Sequence, residues 1–144
     1  MEKDLTQLYG DVILQHNRTP FHYEKRQDAQ HVIDAYNPLC GDKFKLFLDI
    51  NDGIIQNATF HGYGCAVSKA ATSVLVKKIE GLTINEVLPL IQHYFDVLHT
   101  KNTEGGVTSN SDVELEGFLA VRQFPERMTC ATLSWEAAKD FFQK

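Results

Sequence analysis

The stretch of residues 43–60 constrains the fold more than any other. Phe44, Leu46, Leu48 and Ile50 fall on one side of an extended chain, and Lys43, Lys45, Phe47 and Asp49 on the other. Asn51, Asp52 and Gly53 tolerate the left-handed backbone of a tight turn, and residues 54–60 return as a second extended run. The pattern predicts a β-hairpin. A shorter apolar run at Val32 and Ile33 predicts a further strand before it, giving a small antiparallel sheet of about three strands.

One apolar face of such a sheet must be covered, and the remaining sequence supplies helices to do so. Leu5, Leu8, Val12 and Ile13 recur at helical spacing until the chain reaches Pro20. Val67, Ala70, Ala71, Val74, Leu75 and Ile79 repeat in the same way up to Gly81. Thr83 and Glu86 match a capping box ahead of Ile84, Val87, Leu88, Ile91, Phe95 and Leu98, with Pro89 calling for a kink or a later start. Leu115, Phe118, Leu119 and Arg122 suggest a short helix. After Pro125 a last helix carries Trp135, Ala138 and Phe142, with Cys130 near its beginning. Residues 21–30 read as a loop, and residues 100–112, polar and holding Gly105 and Gly106, as a mobile one. Strands in the first half and helices after them define an α+β class. The chain of 144 residues is long enough to be one domain, residues 1–144, without disulfide staples.

A net charge of -5 and no cluster of lysine and arginine argue against a nucleic-acid partner. No apolar run approaches the roughly 20 residues of a membrane helix, and the N-terminus lacks the pattern of an export signal. A cytoplasmic location is expected. In such a compartment three cysteines are better candidates for metal binding or thiol chemistry than for disulfides.

Those cysteines, Cys40, Cys65 and Cys130, are too far apart in sequence for a C-x-x-C knuckle. Each stands instead at an element boundary: Cys40 before the hairpin, Cys65 between hairpin and helix, Cys130 near the last helix start. Free cysteines are most often small buried hydrophobes. Here Gly41 and Asp42 follow Cys40, and Gly62 and Gly64 precede Cys65, so the backbone can come close to an ion or substrate. A thiolate at a helix start is further stabilised by the helix dipole. Three thiolates and the Asp42 carboxylate would complete a tetrahedral site suited to zinc or to iron bound with sulfide. On spacing alone Asp42 reads first as a turn or cap residue, as any Gly-Asp pair does. His61, Lys69 and Arg127 lie near these motifs, and each is better explained as a surface residue.

Asn37-Pro38-Leu39-Cys40-Gly41-Asp42, Gly62-Tyr63-Gly64-Cys65-Ala66-Val67-Ser68 and Cys130-Ala131-Thr132-Leu133-Ser134-Trp135, in this order, resemble the three cysteine motifs of the IscU/NifU-type iron–sulfur cluster assembly family. Leu8-Tyr9, His16 and Pro20 resemble its N-terminal helix and the proline after it. The likeness is greatest to the SufU subgroup, in which a segment such as 100–112 is inserted. Scaffold-type IscU proteins carry a histidine before the third cysteine, where this chain has Thr129, and a Leu-Pro-Pro-Val-Lys chaperone site, of which 124–128 keeps one proline.

The resemblance implies an IscU/SufU-like fold and a zinc site of Cys40, Asp42, Cys65 and Cys130. It also implies a sulfurtransferase component that accepts persulfide sulfur on Cys40 from a SufS-type cysteine desulfurase, for downstream Suf scaffold proteins. The alternative within the same family is a scaffold on which an iron–sulfur cluster is assembled on these ligands.

Overall fold

The computed structural model describes residues 10–39, 41–99 and 113–143. Helix α1 (Asp11–Arg18) leads through a loop to strands β1 (His31–Tyr36), β2 (Lys43–Asn51) and β3 (Ile54–Tyr63). Helices α2 (Ala66–Ile79) and α3 (Ile84–His99) follow. Beyond the segment 100–112 come α4 (Val113–Glu116), two 3-10 turns at Leu119–Gln123 and Pro125–Arg127, and α5 (Met128–Gln143). The strands form an antiparallel sheet in the order β1-β2-β3, as the alternation predicts. Asp52 and Gly53, both at positive φ, make the hairpin turn.

The inner face of the sheet presents Ile33, Ala35, Phe44, Leu46, Leu48, Ala58 and Phe60, all buried in one cluster with the apolar faces of α2, α3 and α5. α2 packs on α1, α5 and β3, and α5 on β1 and α3. Trp135 is fully buried, stacks on Tyr94 at 3.8 Å and gives its indole N–H to the Ala71 carbonyl at 2.9 Å. Such a large ring satisfies its one polar group only because α2 and α5 lie side by side.

Three details depart from simple periodicity. Ile50 is only partly buried, because the register shifts between Asp49 and Ile50 and the Gln30 side-chain carbonyl accepts the Ile50 N–H at 2.9 Å. Phe47 points to the outer face yet is buried. The segment before β1 crosses that face, where Asp49 accepts bonds from the Gln30 N–H (3.0 Å), Arg26 (2.7 Å) and Asn57 (3.1 Å). These bonds hold the Asp49 carboxyl below its ordinary range against its burial. Finally, α3 starts at Ile84 and continues through Pro89, so no later start is needed, while the expected short helix after residue 112 is split between α4 and the first 3-10 turn. The Glu86 carboxylate caps α3 by accepting the Thr83 N–H at 2.9 Å.

A polar knot unannounced by any sequence pattern ties α1, α2 and α4. His16 reaches Ser73 Oγ and Glu114 Oε2, both at 2.7 Å, while Lys77 and Lys78 donate to the same carboxylate at 2.8 and 3.2 Å. Burial pushes the Glu114 carboxyl up, and the bonds from Lys77, His16 and Lys78 more than reverse it, bringing it from 4.5 down to about 2. A depressed carboxyl contributes stability that is complete above its unfolded value and lost as pH falls through its folded one. Glu114→Gln is therefore expected to destabilise the fold by about 1–3 kcal/mol at pH 7 and to lose that difference between roughly pH 4.5 and 2, measured by urea unfolding across this range.

Candidate metal centre

Asp42 lies at the mouth of β2, between the Asn37 turn and Lys43. The Asn37 N–H donates to the Asp42 carbonyl at 2.9 Å and the Gly41 N–H to the Asn37 carbonyl at 2.8 Å, so the two ends of this turn are laced together. At the far end of β3 the chain passes Gly64 and starts α2 with Cys65 as its N-cap. The thiol takes the place of the usual hydroxyl, accepting the Ser68 N–H at 3.5 Å. Cys130 is the third residue of α5. Cys65 meets Cys130 at the starts of the two helices, and Ala71 and Thr72 meet Trp135 and Ser134 further along, so α2 and α5 run in the same sense with their N-termini at the site.

The ligand atoms of Asp42, Cys65 and Cys130 all lie within 4.8 Å of one another. Asp42 and Cys130 are 4% exposed and Cys65 is half-buried. Asp42 Oδ1 accepts the Cys65 N–H at 3.2 Å, while Oδ2 is buried and has no hydrogen-bond partner among the described residues. A carboxylate oxygen left in this state costs free energy unless something positive or protonated meets it. Three of the four residues expected to act together are thus assembled; Cys40 lies outside the described residues.

The two thiols share one proton unequally. Cys65 is shifted well below the ordinary thiol range, first because Cys130 donates to it and then through the Ser68 N–H, against burial and the Asp42 charge. Cys130 is correspondingly pushed up, by that same donation, by burial and by the negative charges of Cys65 and Asp42. Without a cation the pocket cannot hold all its negative charge. The donor set therefore fits a dication with affinity for thiolate, and zinc suits two or three sulfurs with one carboxylate oxygen.

Gly64 is required by close packing. A Cβ there would lie 2.7 Å from Asp42 Oδ1 and 2.9 Å from the Phe44 ring, and would also strike Ser68 Oγ. Ser68 itself was not singled out by the sequence, since a serine in the first turn of a helix carries no distinctive pattern. His61 is exposed, with its ring 4.7 Å from that of Tyr23, and Lys69 sets its ammonium 4.9 Å over the same Tyr23 ring. Both are accounted for by these contacts. Around the site large apolar side chains are exposed: Leu39 is 95% exposed, Tyr63 66% and Tyr36 57%, with the Lys43 ammonium over the Tyr36 ring.

Comparison with known proteins places this geometry. The model of the NifU-like N terminal domain matches residues 8–142. The zinc-dependent sulfurtransferase SufU of Bacillus subtilis is 32% identical over 93% of this chain and 88% of its own length. The iron–sulfur cluster assembly scaffold protein IscU of Thermotoga maritima is 27% identical over 95% and 94%. A crystal structure of a putative iron–sulfur cluster assembly scaffold protein for the SUF system from Fervidobacterium islandicum superposes with a TM-score of 0.81 at 25% identity, covering 95% of this chain and 98% of that one. The chain belongs to the NifU-like N-terminal domain family, the iron–sulfur cluster assembly family of SufU and IscU.

Proposed function

We propose that this chain is a single IscU/SufU-like domain, residues 1–144, acting in the cytoplasm as a zinc-dependent sulfur acceptor. In this reading Cys40, Asp42, Cys65 and Cys130 hold the metal, and Cys40 receives sulfur from a SufS-type cysteine desulfurase. The observation that carries it is the buried, unpartnered Asp42 Oδ2 beside two thiols, a donor waiting for a cation. Support for the acceptor role over the scaffold comes from Thr129, which stands exposed where scaffold-type proteins have a histidine ligand, and from the likeness to a zinc-dependent sulfurtransferase.

Bound zinc would keep the thiolates deprotonated and shielded from oxidation. The transfer itself is thiol chemistry. The Cys40 thiolate attacks the outer sulfur of the donor's cysteine persulfide, forming a new S–S bond at Cys40 while the donor's S–S bond breaks and its cysteine leaves as thiolate. Cys65 and Cys130, at the starts of two parallel helices, would hold the metal together with Asp42. The exposed Tyr36, Leu39 and Tyr63 give the donor an apolar surface to dock on, next to the acceptor. Sulfur would then pass to downstream Suf scaffold proteins.

Elemental and sulfide analysis of the purified protein, coupled to alanine release by the desulfurase, tests this reading. The expected result is one equivalent of zinc, no acid-labile sulfide and strong stimulation. Bound iron with sulfide and little stimulation would assign the scaffold role on the same ligands instead. Cys40→Ala is expected to abolish sulfur acceptance while some zinc remains, and Asp42→Ala to weaken zinc by chelator competition.

Because Cys130 is pushed up, zinc binding near neutral pH must expel its proton. Calorimetry in buffers of different ionisation enthalpy should record net proton release, and zinc affinity should rise with pH. Gly64→Ala should displace the Asp42 carboxylate, costing about 1–3 kcal/mol in stability and weakening zinc further than an alanine at an open surface glycine would.

A further inference from the structure

A line of buried hydroxyls runs from the metal centre into the interface between α2 and α5. Ser68, whose N–H meets the Cys65 sulfur, also gives its hydroxyl to the Cys65 carbonyl at 3.1 Å. The Ser68 carbonyl accepts the Thr72 hydroxyl at 2.8 Å, and Thr72 Oγ1 lies 2.7 Å from Ser134 Oγ across the interface. Since the one Thr72 proton is directed to Ser68, Ser134 is the donor in the cross-helix bond. Ser68 is 1% exposed, Thr72 0% and Ser134 2%.

Hydroxyls are an odd choice for a contact inside the apolar core, beside the meeting of Ala71 and Trp135. Apolar side chains of the same size would bury as well without any bond to satisfy, so the pair adds little stability over them. A bond between two buried hydroxyls nevertheless fails if the helices slide by a fraction of an ångström, whereas van der Waals contact tolerates such a slide. Thr72 lies seven residues after Cys65 and Ser134 four after Cys130, each on the helix whose first turn delivers a thiol. Trp135 Nε1 to the Ala71 carbonyl, one residue from each, is a second tie in the same direction. The axial offset of the two helices is what sets the separation of the two sulfurs.

We propose that Thr72 and Ser134 are positioning residues for the metal centre: their cross-helix bond fixes the α2–α5 offset and so the distance between Cys65 and Cys130. This inference rests on the reading of the site as a metal centre. Neither residue touches the ligand atoms, and they act through the helices that carry them.

The test uses Thr72→Val, which keeps shape and removes the hydroxyl, Ser134→Ala, and Thr72→Ser as the conservative control. Zinc affinity by chelator competition is expected to fall several-fold in the first two, less than for a group bonded directly to a ligand, and to return in Thr72→Ser. The visible spectrum of the cobalt-loaded protein should change in the same two variants. Far-UV circular dichroism and Trp135 fluorescence check that each variant folds; Ser134→Ala carries the test if Thr72→Val does not.

A metal-free measurement separates this proposal from the reading beneath it. In a Cys40→Ala background only Cys65 and Cys130 remain, and a thiol-bridging bimane reagent should cross-link them several-fold more slowly when Thr72 or Ser134 is changed. If the unaltered protein binds no zinc, the metal reading falls and the cross-linking rates alone decide the positioning role. Unchanged cross-linking together with unchanged zinc affinity in folded Thr72→Val and Ser134→Ala would overturn it.

Discussion

The architecture turns on one carboxylate. Asp42 is buried beside two thiols, accepts the Cys65 backbone N–H on one oxygen, and has no hydrogen-bond partner for the other among the described residues. Everything nearby serves to hold it there. The laced turn after Asn37 delivers it, Gly64 leaves it room, and the sheet register brings the start of β2 beside the end of β3. A negative group in this position, next to a thiol already shifted toward thiolate, concentrates charge that a dication would relieve.

The second organising element is the pair of parallel helices. Each begins at the site, so two positive helix ends face the same small volume that three acidic donors occupy. Their N-termini partly offset the concentration of negative charge. The bulk of α2 and α5 is then packed into the core through Trp135, Tyr94 and the inner face of the sheet, so the ligands inherit the rigidity of the most buried part of the molecule.

The strands, the hairpin turn and the helix that starts after Cys65 could be read directly, because period-two and helical patterns of apolar residues are local properties of a sequence. That Cys65 and Cys130 could converge was legible from their places at element ends, and Asp42 joined them through the family motif; the orphaned oxygen of Asp42 was not legible, since burial of an acidic turn residue is decided by tertiary packing. Ile50 still packs against the core but is only partly buried, because the ladder shifts register there and a glutamine side chain twenty residues away takes its N–H. The hydroxyls of Ser68, Thr72 and Ser134 and the knot of His16, Ser73 and Glu114 were invisible for the same reason: the partners lie as much as 98 residues apart, and lone serines or histidines on helices have no periodic signature.

The Glu114 knot has a consequence for how the family can vary. It clamps the chain directly downstream of residues 100–112 to α1 and α2, while His99 ends a helix whose own face is locked into the core. Both ends of the intervening stretch are therefore pinned independently of what joins them. Doubling the length of such a connection adds only about 0.6 kcal/mol of closure entropy. Insertions and deletions there can accumulate almost neutrally, so that this one stretch can change length while the helices and sheet around Asp42, Cys65 and Cys130 stay as they are.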